Sequence, residues 1–159
     1  MQVLLALIGR FWWILLIAAI AIGGLIFREY LSGAAADLRV GDCLDLPAET
    51  TEVKDVQHRP CAEAHDAEVF MVVEHGADRQ AAYPTEDERL DLVSQRCVPA
   101  FATYTGRDYQ TDTLLDIGWF FPTSTGWSDG DREFTCYVVD LNGAKLTGSQ
   151  RTTTPSTSP

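Results

Sequence analysis

The longest uninterrupted apolar stretch is FWWILLIAAIAIGGLIF, 17 residues from Phe11 to Phe27 without a charge, bracketed by Arg10 and Arg28. As a helix rising about 1.5 Å per residue it would be about 26 Å long, a little less than a hydrocarbon core of roughly 30 Å. Arginines at both ends can snorkel to the interfaces, and Trp12 and Trp13 sit where an aromatic belt is expected. Residues 1–28 are therefore predicted to be a transmembrane signal-anchor helix, with the membrane as a partner through residues 11–27. A cleaved signal peptide is the alternative, because Ala34-Ala35-Ala36 offers a small-residue site after the run. Against cleavage, the run exceeds the usual length of a signal core, and residues 3–9 ahead of Arg10 are apolar instead of basic.

Beyond the anchor the pattern changes to short runs. Residues 29–37, with Ser32, Gly33 and Ala34 to Ala36, read as a linker, and a single folded domain is expected over 38–148. Leu38-Arg39-Val40 followed by Gly41-Asp42 and Cys43-Leu44 predicts a first strand with a turn, and Val53 to Val56 a weaker one. AEVFMVVE, residues 67–74, is β-branched and apolar enough for a buried strand of the main sheet. A helix follows. Thr85 with Glu88 makes a capping box, Glu86 and Asp87 place negative charge in the first turn, and Gly106 ends the element. Between them Leu90, Val93, Cys97, Phe101 and Tyr104 recur at spacings of three and four, one apolar stripe on one face. Residues 114–121 and 134–140 predict further strands, separated by a turn-rich loop, Pro122 to Asp131, with Gly126, Asp129 and Gly130 as breakers. The fold class expected is α+β: a small, mostly antiparallel sheet with one main helix packed on it, preceded by the transmembrane helix. SQRTTTPSTSP, residues 149–159, has no apolar residue beyond proline and predicts a disordered Ser/Thr/Pro tail.

Cys43, Cys61, Cys97 and Cys136 all follow the apolar run. An even count in a small domain favours two disulfides in an oxidising compartment. Zinc is the alternative, but no C-x-x-C pair exists and the spacings are not finger-like. Phe134, Cys136 and Val138 share one strand face by the period of two. If that face meets the helix, Cys97 reaches Cys136, which leaves Cys43 with Cys61. The bridges also orient the anchor, whose flanking charges are nearly balanced: the N-terminus is cytoplasmic and the C-terminal domain extracytoplasmic at the cell membrane.

All 23 acidic residues lie from Glu29 onward, against 10 of the 12 basic ones, so this part carries a formal charge of −13. Nucleic acid is excluded as a partner, because its binding rests on Lys and Arg neutralising phosphates. Anionic lipid head groups would be repelled as well.

Candidate chemistry is sparse. His58, His65 and His75 lack the i, i+4 pairing that puts two imidazoles on one helix face, so no metal site and no cofactor is expected. His65 with Asp66 follows Cys61, where a bridge would hold it still. No G-x-S-x-G elbow, phosphate loop or dinucleotide fingerprint is present. Asp129 and Asp131 could act on a glycosidic bond if held about 5 to 9.5 Å apart, but such pairs arise by chance in an acidic chain. They also lack the twelve-residue calcium loop with its closing Glu. Trp127, in Gly126-Trp127-Ser128-Asp129-Gly130-Asp131-Arg132, either anchors a partner, as aromatics and arginines do at binding hot spots, or folds back into the core. Arg132 reads as an ion-pair partner for surrounding acids. The candidate interaction surface is thus His65, Trp127, Asp129, Asp131 and Arg132.

Three motifs in order, Val40-Gly41-Asp42-Cys43-Leu44, Cys61-x-x-x-His65-Asp66-Ala67-Glu68-Val69-Phe70 and Cys97-x-x-x-Phe101-x-x-Tyr104-x-Gly106, are suggestive together. With Pro122, Trp127, Gly130-Asp131-Arg132, Cys136 and a closing Leu146-Thr147-Gly148-Ser149, the chain resembles the septum-formation domain family of actinobacterial envelope proteins from Leu38 to Ser149. Ala64 departs from the family pattern, which often has proline before the histidine. The resemblance implies a membrane-attached extracytoplasmic domain linked to septum formation, and it supplies no catalytic residues. The function expected is a non-enzymatic interaction module of the cell envelope, meeting an envelope or division protein or cell-wall polymer. The alternative is a secreted or anchored cell-wall hydrolase using His65 or an acidic pair.

Overall fold

The computed structural model describes residues 13–21, 32–34, 37–47 and 55–153. The chain divides into two compact units, Met1–Leu31 and Ser32–Pro159. In the first, residues 13–21 form helix α1. No helix among the described residues is long and apolar enough to cross a membrane. The expected span, 11–27, continues on either side of α1 into 11–12 and 22–27, which lie outside the described residues.

The second unit is α+β. Its strands are β1 (Ser32–Ala34), β2 (Cys43–Asp45), β3 (Asp55–Arg59), β4 (Ala67–Glu74), β5 (Leu115–Phe120) and β6 (Glu133–Asp140), with helices α2 (Glu86–Thr105) and α3 (Ser124–Asp129). The sheet order is β1-β3-β2-β4-β6-β5, antiparallel at every pair. Helix α2 starts where its capping box requires. Thr85 accepts from Glu88 N–H while the Glu88 carboxylate accepts from Thr85 N–H, so two backbone donors that would otherwise be orphaned are satisfied. It stops at Gly106, whose φ of 71° is the left-handed conformation a glycine C-cap supplies.

One face of the sheet packs against α2. The core there joins Val93, Cys97, Phe101 and Tyr104 of the helix to Phe70, Leu115, Ile117, Phe134, Cys136 and Val138 of the sheet. The expected face-to-face meeting of helix stripe and strand therefore occurs, and Cys97 bonds to Cys136. Cys43 bonds to Cys61. A register shift between Val69 and Met71 lets Phe70 and Met71 both join the helix-side core, as a β-bulge does by adding an unpaired residue. The opposite face gathers Leu38, Leu44, Val56, Ala67 and Val69, with Phe120 and Tyr137 beside them. There the Tyr137 ring lies across Gly118. A Cβ at that position would come within 2.2 Å of the ring, so glycine is required by contact rather than by backbone conformation.

Several boundaries differ from the sequence pattern. The expected linker contains β1, which pairs with β3 through Ser32↔Gln57 and Ala34↔Asp55. Leu38 to Val40 is not extended pairing strand. The first interior strand starts at Cys43, and the second lies at Asp55–Arg59, later than Val53 to Val56, of which 53 and 54 lie outside the described residues. The loop 122–131 contains α3, capped by Thr123 and by Gly130. Leu90 is 44% exposed, so the buried stripe of α2 begins at Val93. The domain also does not end at Gly148: the segment 149–153 lies against it because its donors satisfy a buried carboxylate. Residues 154–159 lie outside the described residues.

Candidate functional site

Two buried charged side chains, Arg132 and Glu68, organise the polar interior of the domain. Arg132 is 6% exposed. Its planar guanidinium forks between two loops, donating from one terminal nitrogen to Trp127 O at 2.6 Å and Asp131 O at 2.7 Å. The other terminal nitrogen donates to Asp78 O at 3.1 Å and Arg79 O at 2.9 Å. The cation also lies 3.8 Å over the Trp127 ring, where the quadrupole favours it. The expectation of ion pairs with acids is corrected: the partners are backbone carbonyls, several dipoles in place of one anion. Only the flat five-donor fork of arginine can serve two segments in this way.

Trp127 is 3% exposed, and its indole N–H donates to Ala81 O at 2.8 Å. His75, Tyr83 and Phe121 pack around its ring. It belongs to the core, because α3 turns its one large apolar residue inward, and so it cannot meet a partner directly.

His65 is also buried, at 0% exposure. Its Nδ1 lies 2.8 Å from Glu63 O, an acceptor only, so Nδ1 carries the proton. Its backbone exchanges hydrogen bonds with Leu146. The residue fastens the entrance of β4 to the closing segment, with its side chain enclosed by the protein. Asp129 is exposed, whereas Asp131 is half-buried and its Oδ1 accepts Glu133 N–H at 3.0 Å. Of the five residues expected to form one surface, three are interior, and Asp131 helps to set the strand that follows. An exposed aromatic of the sheet lies elsewhere: Trp119 on β5, one of its two edge strands among the described residues, is 37% exposed, with Leu114 at 51% and Leu141 at 49%.

Glu68 forms the second buried centre, one that the sequence reading passed over. It sits in β4 directly opposite Cys43 and is fully buried. Taking an ionised carboxylate out of water costs several kcal/mol unless donors replace the water. Three do. Tyr104 O–H reaches it from α2 at 2.7 Å, and Ser149 O–H and Gln150 N–H reach it from the closing segment. The segment continues across α2: Thr152 N–H donates to Tyr104 O at 2.8 Å, and the Arg151 guanidinium lies 4.9 Å from the Tyr104 ring centroid. Burial first, then the bond to Glu68, pushes the Tyr104 phenol up to about 12, against the opposing pull of Arg151. An open groove of about 470 Å³ adjoins, lined by Phe70, Ala100, Thr103, Tyr104, Arg151 and Thr152. The signal was present in the sequence: Glu68 is a charge set inside an apolar strand, where charge is tolerated only with partners.

Among the described residues, the grouping nearest to a metal-ligand set is Cys43, Cys61 and Glu68, whose candidate atoms lie within 4.8 Å of one another. The two sulfurs are bonded to each other, so neither is the thiolate a metal needs.

A family model described as septum formation matches residues 40–158. No curated protein and no solved structure matches the chain. The match begins at the turn before β2 and runs past the Glu68-binding segment, so it takes in both disulfides and both buried charges. The chain belongs to the septum-formation family.

Proposed function

We propose that the chain is a single-pass membrane protein, anchored through residues 11–27, whose extracytoplasmic domain acts as an interaction module in septum formation. Its partner would be an envelope or division protein, or cell-wall polymer. The observation that carries this reading is the placement of two closed disulfides, Cys43–Cys61 and Cys97–Cys136, in the domain that follows an uncharged run. Such bridges persist in oxidising compartments, and family membership supports the link to septation. Contact would be made by the exposed rim of β5 around Trp119, since exposed aromatics are favoured as interface anchors.

Two measurements test the reading. In intact cells, after reduction with a permeant phosphine, a membrane-impermeant maleimide should label the cysteines. Protection until lysis would place the domain inside. A fluorescently tagged full chain should gather at division septa, and Trp119→Ala should disperse it without changing its amount. An even peripheral distribution of the unmutated chain would defeat the septal role. A mature N-terminus at Asp37 would remove the anchor, and with it strand β1.

A further inference from the structure

The two disulfides occupy contrasting surroundings. Cys97 and Cys136 are both 0% exposed and belong to the helix-side core. Cys43 is also buried, at 2%, but Cys61 is half-buried on the turn that follows β3, with Ala62, Glu63 and Ala64 exposed beside it. A Glu68 carboxylate oxygen lies within 4.8 Å of both sulfurs of this second bridge. A carboxylate has about four acceptor positions, and Tyr104, Ser149 and Gln150 are three donors to them. Three donors leave about one acceptor position open on the carboxylate.

We propose that Cys43–Cys61 is an exchangeable bridge with a built-in base, Glu68, and that its co-reactant is a small disulfide. Cys61 is the sulfur that meets the co-reactant and Cys43 the one that resolves. From the reduced pair, the Cys61 thiolate attacks the external disulfide, forming a Cys61 mixed disulfide and releasing one thiolate. The Cys43 thiol then gives its proton to Glu68 and its sulfur attacks Cys61. The new bond forms as the Cys61 bond to the external sulfur breaks, and the departing thiolate takes up the proton. Two protein thiols are oxidised and one external disulfide becomes two thiols. Glu68 returns to its starting form and so speeds the exchange without setting its direction, which the external disulfide determines, while the sealed Cys97–Cys136 bridge takes no part. This chemistry is independent of the membrane reading above.

The test uses the full chain in detergent, reduced with dithiothreitol until only Cys43–Cys61 opens, then mixed with glutathione disulfide, quenched with acid and mapped by mass spectrometry. Glutathione should appear on Cys61, and the closing step should be roughly 100-fold slower in Glu68→Gln, the lower end of what a positioned base contributes. Asp45→Asn removes a carboxylate two positions from Cys43 on the same strand, and should close at the wild-type rate. In the unmutated chain the closing rate should persist well below the ordinary thiol range near about 8.5. Glutathione on Cys43, or Glu68→Gln closing at the wild-type rate with the wild-type pH profile, overturns the proposal. Should Glu68→Gln fail to fold, the profile of the unmutated chain decides: a closing rate that follows only the thiolate fraction overturns it equally.

Discussion

The β4–β6 pair carries a buried charge towards each end. Glu68 faces Val138 near one end, while Arg132 immediately precedes Glu133, which pairs with Glu74 at the other. Both charges are neutralised by dipoles and hydroxyls instead of by an opposite charge, an arrangement that avoids desolvating a second ion. They differ in where the partners come from. Arg132 draws its four carbonyls from two loops, around Asp78 and around Trp127 to Asp131, each rooted in a strand or helix. Glu68 depends for two of its three donors on Ser149 and Gln150, in a segment with no regular structure beyond β6. The first centre opens only when the domain unfolds. The second can lose its cover by local release of one strap, since such segments open with little free energy.

Removing Arg132 should therefore have the largest effect. Arg132→Ala leaves four carbonyls without their donor, frees Trp127 to shift, and opens a cavity. We expect a loss of about 4 kcal/mol in urea unfolding of the domain, within the range for breaking a buried charge network. Arg132→Lys, with one ammonium in place of a fork, should recover less than half. Recovery to full stability would mean that charge, and not the two-loop fork, is what matters.

Glu68→Gln should cost less, about 2 kcal/mol, because an amide keeps one acceptor and carries no charge to bury. Truncation after Gly148 should cost about the same by stranding the carboxylate with Tyr104 as its remaining donor. Their combination should cost clearly less than the sum, as expected of residues in one network. Strict additivity would mean that the strap is held by something other than Glu68.

These differences bear on what could be read from sequence. Helix α2 was legible because its signals are local: Thr85 and Glu88 three apart, and a stripe ending at Gly106. The Cys97–Cys136 bridge followed from two periods, 3.6 and 2, meeting across one interface. Strand β1 was not legible, since Ser32-Gly33-Ala34 has little strand preference of its own and pairs only because β3 offers an edge. Helix α3 was hidden by Gly126 in a six-residue element that is held by caps and by Trp127 docking. The two tryptophans show the limit most directly. Trp127 sits in a polar, glycine-rich loop and is core, whereas Trp119 sits in an apolar strand and is exposed. Composition around an aromatic does not fix which side of the sheet or loop it takes; packing does. Glu68 was overlooked for the converse reason: its strand neighbours marked it as buried, but its donors lie 36, 81 and 82 residues away.

The smallest effect is spectroscopic, and it separates the two centres most cleanly. Tyr104 and Tyr137 are both pushed up to about 12, but by different causes. Tyr104 is raised by burial and then by Glu68, whereas Tyr137 is raised by burial alone. For both, the folded value lies above the ordinary 10.0. The neutral phenol is therefore the form that folding favours, and its contribution to stability is complete below pH 10 and fades as the pH rises towards 12. Among the five tyrosines, the difference in phenolate absorbance between the parent chain and Tyr104→Phe, or between the parent chain and Tyr137→Phe, isolates each ring. Glu68→Gln should lower the Tyr104 titration while leaving that of Tyr137 in place, because burial persists at both rings and only the carboxylate is lost. Arg132→Ala, provided the titration is read at a denaturant-free pH where the domain stays folded, should move neither. If Glu68→Gln shifted both tyrosines together, the domain would be loosening as a whole. Glu68 would then be a global support like Arg132, not the local anchor of a releasable strap.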